Sequence, residues 1–291
     1  MFKKLVLSAA VGSATLAMAQ DHTESVYAPP SPVASNQGVN EGGVKFDVDV
    51  MYLTKSVYRG VDYTQAVDPA TQDQGKSNTD MNLNAQMTFD LGAKMPHPFF
   101  ALEANTYDSD PVSKFQEFRP TIGVDFTLAP LTFTAALRSY VYPKREDLET
   151  SEVDGQIAFD DGRLFGSDKP VFNPYVMAAY DYVVNGGWYY EAGIKHDFVF
   201  DDMHLTLTPT ARIAYTMGWQ QQFTFVQENG TGLQHWDVGL TASYSLNSLL
   251  NISKRWGDLY VRGYLFHTEH LAHTTVGQTV DWGGLGIGFQ Y

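Results

Sequence analysis

The chain contains no cysteine. Disulfides, thiolate metal sites and a lipid-modified N-terminal cysteine are therefore excluded. After the first twenty residues there is no helix-length apolar run, and mean hydropathy is −0.23. Membrane crossing by helices is excluded on that ground, but a barrel escapes the test because only every second strand residue meets lipid. Base is scarce: 19 Lys and Arg stand against 33 Asp and Glu, for a formal charge of −14. A chain of that sign repels nucleic acid. No Gly-rich phosphate loop leads from a strand into a helix, which leaves nucleotide chemistry without support.

What is present starts at the N-terminus. Lys3 and Lys4, the apolar stretch from Leu5 through Met18, and Ala17-Met18-Ala19 form the charged, hydrophobic and small-residue series of a cleavable secretory signal over residues 1–19. A membrane anchor is the competing interpretation, opposed by Ser8, Gly12, Ser13 and Thr15 within a stretch short for a span. Loss of Lys3 and Lys4 takes the formal charge from −14 to −16. Residues 20–43 are rich in Pro, Ser, Gly and Asn, a composition that predicts a disordered periplasmic segment. Residues 44–291 then read as one domain.

Within that domain, residues 80–91 alternate without error: Met81, Leu83, Ala85, Met87, Phe89 and Leu91 against Asp80, Asn82, Asn84, Gln86, Thr88 and Asp90. Such a segment is a two-faced strand. Similar alternation over 44–57, 99–107, 114–128, 131–142, 151–159, 172–183, 188–200, 203–217, 235–246, 258–268 and 280–291 gives twelve strands. The predicted fold is all-β, a transmembrane antiparallel up-and-down β-barrel. Segment 151–159 is retained because an even number puts both termini on one side. Ala129-Pro130, Asp201-Asp202 then become periplasmic turns, while 61–78, 143–150 and 218–234 become outer loops, with 184–187 a short one. Aromatics near strand ends, such as Phe126, Phe133, Phe198, Tyr180 and Trp188, suit two girdles at headgroup level. A soluble sandwich, the alternative, would concentrate them mid-strand.

The last strand carries Leu285, Ile287, Phe289 and Tyr291 on one face and Gly and Gln on the other, and it stops on an aromatic. That ending resembles the signal read by barrel-assembly machinery. Its small inner face predicts a thinly filled lumen beside it. Closure requires it to pair with the strand beginning near Val44.

Register follows from the two tight turns, since a one-residue slip would drive the inner set into lipid. A two-residue turn at 201–202 sets Phe200 against Met203, Phe198 against Leu205, Ile194 against Pro209 and Glu191 against Arg212. The 129–130 turn sets Phe126 against Phe133 and Thr121 against Arg138. Glu103 faces Arg119 across the preceding loop. One inward cluster is thus Glu103, Arg119 and Arg138 with Glu152 adjoining, and a second is Glu191 with Arg212. Arg262 also points inward, because an Arg in mid-membrane lipid costs about 2–4 kcal/mol. These seven residues are the candidate constriction. Expected inward acids (Asp47, Asp49, Asp80, Asp90, Glu117, Asp125, Asp154, Asp197 and Asp237 besides those above) outnumber the bases, which predicts weak cation preference.

The pattern points to an outer-membrane channel for passive diffusion of small hydrophilic solutes. The alternative is a closed structural or adhesive barrel whose outer loops bind a partner. Expected partners are outer-membrane lipid and lipopolysaccharide, the latter met by acidic loops through divalent cations, besides the assembly machinery and the solutes. No catalytic, cofactor or metal site is expected: no His has a Ser two residues away and an Asn-Gly pair following, as an outer-membrane phospholipase would, and Asp108 and Asp110 make only a weak case for a loop protease. His267, His270 and His273 run into a loop without a carboxylate cluster.

Ser56-Val57-Tyr58-Arg59-Gly60, placed at the outer end of the first strand, resembles the aromatic-Arg-Gly signature of outer-membrane porins labelled TorF-like. Tyr142-Pro143 and then Glu152 resemble a second piece of that pattern. The resemblance covers about 44–291, and it implies a twelve-stranded barrel with transport as its activity.

Overall fold

The computed structural model describes residues 43–62, 80–92, 95–107, 116–143, 149–167, 169–184, 186–219, 230–271 and 279–291. Residues 1–42, where a leader and tail are expected, most of 61–78 and 218–234, the middle of 143–150, and Asp108, Asp110, Asn185 and His273 lie outside the described residues.

Twelve wall strands close into one antiparallel barrel. In chain order they are β1 (Val44–Leu53), β4 (Asp80–Phe89), β5 (His97–Tyr107), β6 (Gln116–Leu128), β7 (Leu131–Tyr140), β8 (Thr150–Phe159), β9 (Tyr175–Asp181), the interrupted β10 (Trp188–Lys195) and β11 (Phe198–Phe200), β12 (Leu205–Trp219), β13 (Gly230–Ser245), β14 (Asp258–His270) and β15 (Val280–Gln290). The short strands β2 (Val57–Tyr58) and β3 (Val61–Asp62) form a separate hairpin that, among the described residues, joins no wall ladder. Each wall strand lies beside its sequence neighbours, and β1 pairs with β15 from Asp47↔Gln290 to Leu53↔Gly284. Tyr291 and Phe46 exchange backbone hydrogen bonds at 2.7 and 2.8 Å, so the final residue completes the seam. The antiparallel ladder leaves no open wall edge.

Alternation sorts the side chains. Phe46, Val50, Tyr52, Met81, Leu83, Phe100, Ile122, Val238 and Leu265 stand on the exterior, as do Leu285, 62 % exposed, and Ile287, 48 % exposed. Their partners in sequence point inside: Asp49, Asn82, Glu117, Arg119, Glu152 and Asp237 are buried. A protein that exposes its aliphatics and buries its charges is inverted relative to a water-soluble domain.

Register agrees with expectation at one turn and departs from it at another. Phe126↔Phe133, Thr121↔Arg138 and Glu103↔Arg119 pair as expected. At the other turn, Asp201–Met203 winds into a 3-10 turn and His204 takes φ +53°. The connection is therefore longer, and Phe200 pairs with Leu205, Phe198 with Leu207, Ile194 with Ala211 and Glu191 with Ala214. A slip of two residues keeps every side chain on its face. Two connections at the end where β1 starts and β15 finishes are not tight: residues 160–174 include a 3-10 turn, and 246–257 include the short helix Asn247–Leu250. In the first, Asp161 accepts backbone N–H bonds from Val171 at 2.7 Å and Phe172 at 2.9 Å.

Candidate functional site

The first strand stops at Leu53, short of its expected end at residue 57. The chain then turns into the barrel, so the Ser56–Gly60 motif, expected at the outer strand end, lies buried in the lumen. The turn uses φ +47° at Arg59 and +75° at Gly60. Gly60 packs so closely on the wall that a Cβ there would stand 2.5 Å from the His235 ring, which leaves glycine as the residue that fits.

Arg59 anchors this hairpin. Its side chain is 1 % exposed; Nη1 lies 3.0 Å from Glu152 Oε2, and Nη2 donates to Oε1 at 3.0 Å. The guanidinium carbon also sits 4.4 Å from the centroid of the Tyr189 ring. Tyr58 shares a short hydroxyl–hydroxyl hydrogen bond with Tyr140, and the Arg119 guanidinium lies 4.2 Å over its ring. Hairpin and wall are thus joined by charge, rings and hydroxyls rather than by ladder hydrogen bonds.

The seven candidate constriction residues all face the lumen, in three groups. Arg119 Nη1 is 3.2 Å from both oxygens of Glu103, and its Nη2 is 2.8 Å from Glu117. Arg138 is 3.5 Å from Glu152 and 3.4 Å from Asp154. Glu152 joins these two parts through the hairpin, since it also meets Arg59. Arg212 pairs closely with Asp237 and stands 3.9 Å from Glu191, so the expected Glu191–Arg212 pair is diagonal and secondary. Arg262 is 3.3 Å from Asp49, and its guanidinium lies 4.6 Å over the Tyr260 ring. Five arginines are buried among the described residues, and the inward carboxylates exceed them: Asp49, Asp80, Glu117, Glu152, Asp154, Asp181, Glu191 and Asp237 are all buried. Buried paired charges hold position, because losing a partner leaves an uncompensated ion.

Arg59, Tyr58, Tyr189 and Asp237's role as the chief partner of Arg212 were not among the expected site residues. The aromatic-Arg-Gly motif was the signal for the first two, but periodicity cannot tell that a segment past a strand end folds inward. Asp90 also departs from expectation: it lies beyond β4, where it accepts from Gly92 N–H at 2.9 Å and meets Lys45 at 3.2 Å. The inner face of β15 is not thinly filled. Leu53 and Tyr264 cover Gly284, Met51 covers Gly286 and Tyr260 covers Gly288. Met51, Leu53, Val57, Tyr264, Phe266, Val280 and Trp282 form an apolar cluster there. The glycines give room to neighbours, not to solvent.

Burial is graded along the axis. Towards the end where β1 starts and β15 finishes, the inward Asp47, Gln86, Asp125, Thr132, Thr206 and Ser243 are only half-buried, and Thr127 is exposed. In the other half, around the hairpin, inward side chains are buried. Among the described residues, the inward face is therefore more accessible at one end of the lumen, and the paired charges gather towards the other. His267 faces outward, 2.7 Å from Asp281, whereas His270 lies on the inner face near His235, so these two histidines do not converge. Among the described residues no group of His, Asp and Glu is arranged to hold a metal ion.

No protein-family model and no curated protein sequence matches the chain. Solved structures do superpose on it. An outer membrane channel from Pseudomonas putida is 11% identical, with TM-score 0.49, over 88% of this chain and 98% of that one. LpxR from Salmonella typhimurium is 9% identical, with TM-score 0.44, over 84% and 99%. The translocator domain of autotransporter NalP from Neisseria meningitidis is 10% identical, with TM-score 0.42, over 89% and 92%.

Proposed function

We propose that the chain is an outer-membrane channel for small hydrophilic solutes, closed at rest by its own β2–β3 hairpin. The observation that carries this is the form of the plug: a segment outside the wall ladders, inserted into a charged lumen and held by Arg59–Glu152 at 3.0 Å. The exposed aliphatic belt supports a lipid surroundings, and the leader-like residues 1–19 support export. In this orientation the start of β1, the end of β15 and the less buried end of the lumen face the periplasm. Glu103, Arg119, Arg138, Glu152, Glu191, Arg212 and Arg262 line the constriction, and the excess of inward carboxylates favours cations. Leu285, Ile287, Phe289 and Tyr291 serve as the assembly signal, and lipopolysaccharide borders the outer rim. The TorF-like resemblance of Ser56–Gly60 is in keeping with transport.

A closed structural barrel is the second reading, favoured by the tight fit of Gly60 against His235. Planar-bilayer recordings separate the two. The channel should give rare openings in the intact chain, and frequent, cation-preferring openings once residues 55–62 are replaced by a Gly-Ser linker. A silent barrel after that replacement favours the closed reading, and a reversal potential of anionic sign refutes the cation preference.

A further inference from the structure

Arg59 is held in the lumen as a ligand would be. The wall contributes a carboxylate from β8, Glu152, both of whose oxygens lie 3.0 Å from guanidinium nitrogens, and a ring face from β10, Tyr189, 4.4 Å from the guanidinium carbon. Arg138 and Tyr140 both contact Glu152, so the carboxylate stays positioned by wall residues when the hairpin is elsewhere. The hairpin adds the guanidinium and, beside it, the Tyr58 ring at 5.2 Å, whose hydroxyl meets that of Tyr140.

We propose that Glu152 and Tyr189 form a binding site for guanidinium-bearing solutes, which the chain fills with its own Arg59 while the barrel is closed. This deepens the channel reading above and rests on it for the role of the exchange: solute and hairpin compete for one cradle. The ligand class follows from the geometry. Two nitrogens matched to two carboxylate oxygens, with a planar cation stacked on a ring, suit a guanidinium far better than an ammonium point charge. An anion is disfavoured, because the vacated site holds Glu152 and Asp154 against Arg138, and neighbouring Arg119 already pairs with Glu103 and Glu117. A buried carboxylate that has lost a cation favours taking up another.

The test uses the full chain carrying Arg59→Gly, since φ +47° suits glycine. Methylguanidinium and methylammonium are titrated against it. One readout is the heat-unfolding midpoint in detergent, and the other is current in a planar bilayer. Methylguanidinium should raise the midpoint and block the current of Arg59→Gly at concentrations about tenfold below methylammonium. It should act on the unsubstituted chain only at higher concentration, where Arg59 competes for the site, and lose its effect when Glu152→Gln is added. Equal response to the two cations, or a response that survives Glu152→Gln, overturns the site. Current without any methylguanidinium effect also overturns it, while the channel stands. A midpoint shift without current supports the site, and silence that persists once residues 55–62 are replaced removes the channel. Should Arg59→Gly not fold, Arg59→Asn tolerates the same backbone and takes its place.

Discussion

Arg119 stands directly across the β5–β6 ladder from Glu103, with one guanidinium nitrogen 3.2 Å from each carboxylate oxygen, while its other terminal nitrogen reaches Glu117 on its own strand at 2.8 Å. One cation thus serves two acids. Arg119→Ala is expected to destabilise the barrel by about 3–5 kcal/mol, the range for breaking a buried pair and leaving its partner charged. Adding Glu117→Gln should recover part of that loss. Urea unfolding of the refolded barrel, followed by tryptophan fluorescence, measures both. Equal stability of the single and double variants would show that stranded charge is not the cause.

Glu152→Gln removes the carboxylate shared by Arg59, Arg138 and Tyr140. Hydrogen bonds to charged groups contribute ~1.5–3 kcal/mol, so the closed–open balance should move by about tenfold or more towards open. Open probability in single-channel records is the measurement. An unchanged open probability would detach the hairpin lock from Glu152.

Gly286 and Gly263 offer a paired steric test. A Cβ at Gly286 would meet Val50 O at 2.2 Å, and backbone cannot move aside, whereas at Gly263 the nearest atom is Leu285 Cδ1 at an ordinary 3.5 Å. Gly286→Ala should therefore lose about 1–3 kcal/mol through overpacking, and Gly263→Ala much less. The folded fraction on unheated gels ranks the two, and the reverse order would contradict the packing described for β15.

Asp161 lies in the 160–174 connection, outside the wall. Burial pushes its carboxyl upward, but N–H bonds from Phe172, Val171 and Asn173 outweigh this and hold it below its ordinary value of 3.8. A lowered folded-state value means the stabilisation is fully present above the unfolded value and is lost as pH falls through the folded one. Protection of the Val171–Asn173 amides, relative to their intrinsic exchange rates, should therefore fall below about pH 3.8 in the unsubstituted chain and be low at neutral pH in Asp161→Ala. Exchange indifferent to both changes would remove Asp161 as the organiser of this connection.

The wall was legible because its physics is local. Error-free alternation over 80–91 marks a strand wherever it sits, and the Ala129-Pro130 turn sets Thr121 against Arg138 by counting alone. The same counting missed at 201–202, where His204 at φ +53° lengthens the turn without any glycine to announce it. Parity survived, which is why Glu191 and Arg212 still share the lumen in a diagonal arrangement. The plug was illegible for a different reason. Tyr58 and Arg59 are placed by Tyr140, Glu152 and Tyr189, residues far along the chain, and no period in residues 54–62 encodes partners at that separation.

The independence of the plug from the wall has a mechanical meaning. The β1–β4 ladder runs unbroken from Val44↔Phe89 to Leu53↔Asp80 without any contribution from the hairpin. Withdrawing the hairpin would therefore break side-chain contacts while leaving every rung of that staircase in place. The barrel can change what fills it without changing its circumference, much as a bung leaves a cask while its hoops stay tight.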